Sequence, residues 1–380
     1  MTRVYLIRHA EAEGNIYRRA QGHYDGAVSA KGQRQIAALA ERFRDERIDA
    51  VYSSDLARTR ATAGAILRYH PLQLHTDARL RELYLGPWED QPFGDLQYRD
   101  PEQLHNFNDD PAAWRVPGAE SFAALTQRMR AAVTDIAARH DGQTVVCVSH
   151  GMAIRALTAD ILAVPSSEIA LVPHGDNTAV TLLEAEGETL RVLYACDTKH
   201  LPPELSTFAR QTWWRQSGAK DMNNVRFERL DPERYPRVYT DFYRRTWQDV
   251  HGDLEGFFPG VYLDAAKRHV LADPDALVCI LRPDGERVGI TELDTLRGAE
   301  EGLGWICLCY IEPQYRRMQL GAQLIGHAVS RFRALGRRAV RLSVYEGNTG
   351  ALRFYEEYGF RTVGETEGVS TRLLVLEKEL

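Results

Sequence analysis

The sequence predicts two α/β domains in succession, and three observations predict it. Short apolar runs of strand length alternate with helix-period stretches over residues 1–200, and again beyond Val225. The composition changes between them, at 198–224, where Thr198-Lys199-His200-Leu201-Pro202-Pro203 stops regular structure. The 380 residues also exceed the roughly 100–200 of one ordinary domain.

Val4-Tyr5-Leu6-Ile7 reads as a buried first strand, ending on Arg8 and His9. A polar, glycine-bearing loop follows to about Ala30. Gln33–Phe43 carries Ile36, Leu39, Ala40 and Phe43 at helical spacing. A strand at Ala50–Tyr52 precedes a helix from Ala57 to Tyr69. Residues 80–118 hold five prolines and read as one long irregular loop, a lid or specificity segment. Ser121–His140 is a helix, Thr144–Val148 the third strand, and another helix starts near Met152. A strand pair follows at Ala179–Leu183 and Leu190–Tyr194, giving a three-layer α/β sandwich. In the linker, Trp213-Trp214 is expected to pack on a domain. The second unit opens with a strand at Val225, then an aromatic helical region (Tyr235–Tyr262) and a helix at Leu263–Ala272. Strands are expected at Ala276–Leu281, Arg287–Leu293, Gly304–Ile311 and Ala339–Tyr345. Helices are expected at Gly321–Leu335 and Thr349–Tyr358, before a closing hairpin. No internal repeat or low-complexity tract interrupts this order.

Hydrophobic content of 44% and charged content of 26% are those of a globular protein. A net charge of −6 argues against a general nucleic-acid or acidic-membrane binder. No apolar run is long enough to span a membrane, and no signal peptide is evident, so the expected location is cytoplasmic. Five cysteines without CxxC spacing read as reduced thiols. Cys307 and Cys309, two apart on a strand, are expected to share a face. A metal site there would need partner ligands that the sequence does not reveal, and none is expected.

The chemistry concentrates at strand ends. In open α/β sheets, ligands bind at the carboxyl ends of strands. The first strand ends in Arg8-His9, the second in Ser53-Ser54-Asp55-Leu56-Ala57-Arg58, the third in Ser149-His150-Gly151. One Arg-His after a strand is an ordinary surface cap. Three strand ends with matching groups, if neighbours in one parallel sheet, make a pocket for a phosphate-sized dianion. Arginine binds phosphate bidentately and stays charged. A neutral histidine can attack phosphorus, and a carboxylic acid can protonate the leaving oxygen. Such a set needs no metal.

Leu6-Ile7-Arg8-His9-Ala10-Glu11-Ala12-Glu13-Gly14-Asn15 resembles the "RHG-E-T-x-x-N" stretch of the histidine phosphatase (phosphoglycerate mutase-like) superfamily. Tyr52-Ser53-Ser54-Asp55-Leu56-Ala57-Arg58 resembles its "YSS-x-L-x-R" stretch. Leu80-Arg81-Glu82 through Gly86-Pro87-Trp88-Glu89, Gly118-Ala119-Glu120-Ser121 and Val148-Ser149-His150-Gly151 resemble three more, in order. The resemblance covers residues 1–203 and implies an α/β/α fold. It implies His9 as nucleophile and Arg8, Arg58 and His150 as a clamp on the phosphoryl oxygens. Glu82 would be proton donor and then base, with Asn15 and Gln21 lining the pocket. Ala10 and Ala12 depart from the family's glycine and threonine, and neither removes a catalytic group. The shorter, phosphatase-like members are the better match, with a mutase-type phosphotransferase as the alternative.

Glu312-Pro313-Gln314-Tyr315-Arg316-Arg317-Met318-Gln319-Leu320-Gly321-Ala322 joins a strand to a helix whose free N–H groups and dipole suit a pyrophosphate. Asn348-Thr349-Gly350-Ala351-Leu352-Arg353-Phe354-Tyr355-Glu356-Glu357-Tyr358-Gly359-Phe360 resembles the "N-x-x-A-x-x-F-Y-E-K-x-G-F" signature of GNAT acetyltransferases. This second resemblance covers residues 223–380, after a linker at 204–222, and implies a mixed-sheet α/β fold with acetyl-CoA as cosubstrate. It places the cofactor along Ile311, Arg316, Arg317, Gln319, Leu320, Gly321 and Ala322, with Asn348 on its arm and Tyr355 protonating the CoA thiolate. Gly321 is expected to let the phosphate approach the backbone, while Gln319 stands where the family has a glycine. Glu292 is a candidate base for the acceptor amine. The expectation is a bifunctional enzyme acting on a small phosphate ester and a small amine. The alternative is a phosphatase regulated by an acetyl-CoA-sensing module without turnover. Substrate identities and oligomeric state are not legible; residues 85–117 and 235–262 are expected to choose the substrates.

Overall fold

In the computed structural model, the described residues are 1–210, 222–368 and 372–380. The pair Trp213-Trp214 lies outside them. Two compact units emerge. Of the described residues, one comprises Met1–Gln91 and 99–210, the other Pro92–Tyr98 and Met222–Leu380.

The first unit is built on a six-stranded sheet in the order β3-β2-β4-β1-β5-β6. Its strands are β1 (Thr2–Arg8), β2 (Ala50–Ser53), β3 (Leu74–Thr76), β4 (Thr144–Ser149), β5 (Val180–Glu186) and β6 (Thr189–Asp197). β1, β2 and β3 run parallel with β4, and β5 and β6 return antiparallel. Its helices are α1 (Glu13–Tyr17), α2 (Ala30–Phe43), α3 (Ala57–Leu67), α5 (Pro101–Asp109), α6 (Phe122–Arg139) and α7 (Gly151–Ile161), while α4 (Phe93–Arg99) belongs, but for Arg99, to the second unit. Tyr5, Ile7, Val51, Val146 and Val148 face Leu39, Phe43, Ala63 and Ile66 of α2 and α3 in one buried core. α6 and α7 pack on the other side of β1, which completes three layers.

The stretch 80–118 is not the single irregular loop that its prolines suggested. Pro101 stands in the first turn of α5, behind an Asp100 side chain that accepts the Gln103 N–H. A proline lacks only an N–H that a first turn leaves unpaired anyway, so it starts a helix as readily as it breaks one. The aromatic residues of the stretch form a cluster: Trp88, Phe107 and Trp114 meet at ring-centroid distances of 5.6–6.2 Å. β3 is not legible in the sequence, because three residues on a sheet edge, two of them exposed, leave no apolar signature.

The second unit carries a seven-stranded mixed sheet in the order β12-β13-β11-β10-β9-β8-β7. The strands are β7 (Arg226–Arg229), β8 (Leu277–Leu281), β9 (Arg287–Asp294), β10 (Leu303–Ile311), β11 (Ala339–Tyr345), β12 (Arg361–Glu367) and β13 (Arg372–Glu379). The helices are α8 (Pro236–His251), α9 (Pro259–Ala272), α10 (Leu320–Ala334) and α11 (Thr349–Glu357). α8 and α9 bury Tyr239, Phe242 and Ala266 against Leu277, Cys279, Ile290, Leu308 and Tyr310. α10 buries Leu320 and Leu324 against Val225, Ile280 and Val288 on the opposite face.

Two irregularities in β10 matter for chemistry. It pairs parallel with β11 only from Leu303–Ala339 to Ile306–Leu342, although both strands run on. Beyond that point the strands splay, and the β10 edge there has no ladder partner in β11. On its other edge β10 slips register against β9 between Ile306 and Leu308, a β-bulge at Cys307.

Among the described residues no helix is long and apolar enough to cross a membrane. All five cysteines are unpaired.

Candidate active sites

The three strand ends named by the sequence are neighbours. Arg8 pairs in register with Ser149, and Ser53 with Val148, so Arg8-His9, the Ser54–Arg58 turn and His150 converge at one edge. The His9 and His150 rings lie 5.2 Å apart, centroid to centroid. His9 Nδ1 is 2.7 Å from the Ala10 carbonyl. A carbonyl only accepts, so Nδ1 carries the proton and the lone pair sits on Nε2. Burial, then the positive charges of Arg58 and Arg8, holds this imidazole well below its ordinary pKa. His150 is fully buried, with Nε2 2.8 Å from Ser54 Oγ and an Nδ1 that has no partner among the described residues.

The two guanidiniums are oriented by backbone carbonyls. Arg8 Nη1 donates to Gly175 O at 2.6 Å; Arg58 donates through Nη1 to Tyr24 O (2.8 Å) and through Nη2 to Gly22 O (2.6 Å). In both, Nε has no partner among the described residues. Burial lowers Arg58 to about 10, which leaves it charged at neutral pH. Gly151 gives Arg8 its room, because a Cβ there would sit 3.3 Å from Arg8 Nε.

Glu82 caps the start of α7. Its Oε1 accepts the Ala153 and Leu83 N–H groups and its Oε2 the Met152 N–H, each at 2.9 Å. Asn15 Oδ1 accepts the Ala12 N–H at 3.0 Å, which fixes the turn after His9. Gln21 Nε2 is buried without a partner among the described residues. Ala10 and Ala12 are fully buried, so the methyls replacing the family's usual groups pack into the core.

Three participants had no assigned role in the sequence. Asn177 Nδ2 donates to the His9 carbonyl at 2.9 Å and lies 3.4 Å from Asn15 Oδ1. The signal was the antiparallel entry of β5, which starts at the end of the sheet where its parallel neighbour finishes. Arg128 donates to the carbonyls of Arg79, Arg81 and Glu82 at 2.7–2.8 Å and grips Glu120 through two nitrogens, holding the Glu82 segment. Glu89 gathers the loop that carries Gly22 and Tyr24.

The profile of the histidine phosphatase superfamily (branch 1) matches residues 4–198. The chain belongs to that superfamily. A probable phosphoglycerate mutase GpmB of Serratia proteamaculans is 36% identical over 166 residues, which are 44% of this chain and 77% of that protein. One from Salmonella choleraesuis is 37% identical over 169 residues, with the same coverage of 44% and 77%. The solved structure of Bacillus stearothermophilus YhfR has a TM-score of 0.51 and 32% identity, covering 53% of this chain and 99% of that one. The profile of the acetyltransferase (GNAT) family matches residues 243–360. The chain thus joins a histidine phosphatase domain to a GNAT domain, both enzyme folds.

In the GNAT domain, Arg317 and Gln319 hold positive φ of 64° and 61° ahead of α10. Gln319 therefore keeps the left-handed conformation that a glycine would adopt freely. Leu320 and Ala322 are buried, so only their backbone is available to a cofactor. Gly321 differs from expectation: its missing Cβ makes room for the Phe354 ring, 3.0 Å from where that atom would sit. Arg316 Nε donates to Ile311 O at 3.0 Å, and its guanidinium pairs with Asp249. The Asn348 side chain accepts the Ala351 N–H at 3.0 Å and caps α11. Tyr355 is 8% exposed; burial and the adjoining Cys309, to which it is hydrogen-bonded, raise its phenol well above the ordinary value. Glu292 is 1% exposed, with Oε2 accepting from Tyr239 Oη (2.8 Å) and Oε1 2.7 Å from His269 Nδ1. The group next to Glu292 on the outer side is thus His269.

Proposed function

We propose that the first unit hydrolyses a phosphate monoester through a phosphohistidine at His9. The observation that carries this reading is the His9 Nδ1–H bond to the Ala10 carbonyl, which leaves a neutral Nε2 lone pair on a buried ring under the positive charges of Arg58 and Arg8. Nε2 attacks phosphorus, the ester P–O bond breaks, and the leaving oxygen takes a proton from Glu82. Glu82 then takes a proton from water, which attacks the phosphohistidine and releases inorganic phosphate. Arg8, Arg58 and the His150 Nδ1–H hold the phosphoryl oxygens, with Asn15 and Gln21 at the rim. The arginines supply the positive charge that a metal would otherwise bring.

The second unit, in this reading, transfers an acetyl group from acetyl-CoA to a small amine. The splayed β10 edge takes the amides of the pantetheine arm, and the backbone from Arg317 to Ala322 takes the pyrophosphate. Asn348 borders the cofactor arm. The amine attacks the thioester carbonyl, the C–S bond breaks, and Tyr355 gives its proton to the thiolate. The amine proton goes to the Glu292 carboxylate. Free thiols throughout suit a reducing, cytoplasmic setting.

The deciding experiment is p-nitrophenyl phosphate hydrolysis in excess EDTA, native protein against His9→Ala. Activity that resists chelation and disappears in the variant is expected; activity retained by His9→Ala refutes the assignment. The names of the curated relatives favour a second reading, phosphate transfer between two hydroxyls of a phosphoglycerate. It predicts isomerisation of phosphoglycerate without net release of phosphate, which the same samples measure. Fusion of the two domains suits one metabolite carrying both a phosphate ester and an amine, since linkage raises the local concentration of a shared intermediate. An amino-phosphate panel in which no compound serves both activities removes that idea. Acetyl-CoA binding without acetylation of any amine favours a sensing module.

A further inference from the structure

The β-bulge at Cys307 breaks the strand alternation that would have put Cys307 and Cys309 on one face. Cys309 packs on the α10 side of the sheet, next to Tyr355. Cys307 instead shares the α8–α9 face with its neighbour Leu308, and there it meets His269 of α9 and Asp294 of β9. One ligand atom from each of the three, an imidazole nitrogen, a carboxylate oxygen and Sγ, lies within 4.8 Å of the others. These are partner groups for Cys307 that the sequence does not reveal.

Each of the three is held by a second group. Glu292 Oε1 lies 2.7 Å from His269 Nδ1 and, being an acceptor, fixes the proton there. That carboxylate is itself buried and hydrogen-bonded by Tyr239 Oη. His269 Nε2 is left 3.3 Å from Asp294 Oδ2. Asp294 Oδ1 is occupied, accepting the N–H groups of Leu296 (3.0 Å) and Arg297 (2.9 Å), so Oδ2 is the oxygen presented to the histidine. The Asp294 backbone N–H reaches the Cys307 sulfur. A lone pair on Nε2 facing a carboxylate oxygen at that distance is repulsive unless a cation lies between. The cation is either a proton or a metal ion. Tetrahedral zinc with bonds of about 2.0–2.1 Å to nitrogen and oxygen places those two ligand atoms about 3.3 Å apart.

We infer that His269 Nε2, Asp294 Oδ2 and Cys307 Sγ form a site for a divalent transition ion of the zinc type, with Glu292 orienting the histidine from behind. Mixed imidazole, thiolate and carboxylate donors select zinc or cobalt over calcium or magnesium. A carboxylate on the outer nitrogen of a ligating histidine is the usual second partner of such sites. Three protein ligands leave one coordination position open, which water or a small molecule can complete.

The test is cobalt loading of the full chain after chelator treatment in the presence of a reductant. One Co²⁺ per chain, with a near-ultraviolet thiolate-to-cobalt band displaced by Zn²⁺, is expected. Cys307→Ser removes the band, Asp294→Asn weakens retention, and Glu292→Gln lowers Zn²⁺ affinity about 10–100-fold. Cys196→Ser leaves the band intact. A chain that keeps no cobalt through desalting, or a band that survives Cys307→Ser, overturns the assignment; the cation between His269 and Asp294 is then a proton. The metal-stripped and zinc-loaded forms also separate by pH. Binding displaces protons, so zinc stabilisation grows as pH rises. Heat stability unaffected by zinc at pH 8 counts against the site.

Discussion

Glu89 holds Arg58 through a loop that both residues grip. Glu89 accepts the backbone N–H groups of Gly22 (3.2 Å), His23 (2.8 Å) and Tyr24 (2.8 Å). The carbonyls of Gly22 and Tyr24, exposed by that turn to the other side, are the two that Arg58 binds. Gly22 is needed for the approach, since a Cβ there would come within 2.4 Å of Glu89 Oε1. Glu89→Gln keeps the shape but turns one acceptor oxygen into a donor facing N–H groups. Arg58 then loses its support by a fraction of an ångström. The expected result is a loss of about 10²-fold in kcat/KM for phosphate esters, with weaker vanadate binding and a retained fold. Steady-state kinetics with a thermal melt checks it, and unchanged kinetics would mean that Arg58 is positioned without the loop.

Gly151 follows His150 for the sake of Arg8. Gly151→Ala places a methyl 3.3–3.4 Å from the Arg8 guanidinium. Arg8 must tilt, and its bond to Gly175 O lengthens. Because His9 and Glu82 are untouched, the expected signature is a raised KM and weaker inhibition by inorganic phosphate, with kcat less affected. A fall in kcat at constant KM would place the effect on chemistry instead.

The buried histidines of the first unit and His269 of the second respond to pH in opposite directions. Burial lowers His9 and His150 well below 6.5, His174 to about 3 and His200 to about 4. A lowered pKa means that the unfolded chain binds more protons, so the first unit loses stability as pH falls below 6.5. His269 is the reverse case. Burial opposes its charge, but Glu292 and Asp294 outweigh burial and raise it. Its contribution is complete below 6.5 and is lost as pH rises through the raised value. Cys307 and the Tyr239 hydroxyl, acting through Glu292, are the other titratable groups on that cluster. Hydrogen exchange on metal-stripped protein reads each unit separately. Protection is expected to fall toward pH 5 in the first unit and toward pH 8 around α9, with His269→Asn removing the second trend. Parallel responses in both units would contradict the assignment.

The main lines of both folds were legible because their signals are local. Four-residue apolar runs ending in Arg8-His9 or Ser149-His150 need no tertiary knowledge to be read as strand ends, and the sheet order brings those ends together. What stayed hidden depends on contacts distant in sequence. Asn177 sits in a turn whose composition looks like any other turn, yet it reaches back 168 residues to the His9 carbonyl. Proline content marked 80–118 as loop, whereas Pro101 opens a helix. Strict alternation puts Cys307 on the face of Cys309, and a bulge cancels alternation without changing composition. A glycine before a helix suggests room for a ligand, whereas Phe354 fills the room at Gly321.

Gln319 offers a test of the loop before α10. It sits at φ 61° and ψ 14°, a conformation that costs a side-chain-bearing residue roughly 1 kcal/mol and glycine almost nothing. Gln319→Gly relieves that cost and clears the approach to the backbone N–H groups from Leu320 onward. The expected outcome is a higher melting temperature together with tighter acetyl-CoA binding by calorimetry. Gln319→Ala separates the two effects, because it clears the side chain while keeping the left-handed cost. Tighter cofactor binding in both variants, with stabilisation only in the glycine one, would assign crowding to the side chain and strain to the backbone. Weaker binding in both would show instead that the Gln319 side chain itself contacts the cofactor, and the loop would then be read as a polar clasp rather than a bare helix end.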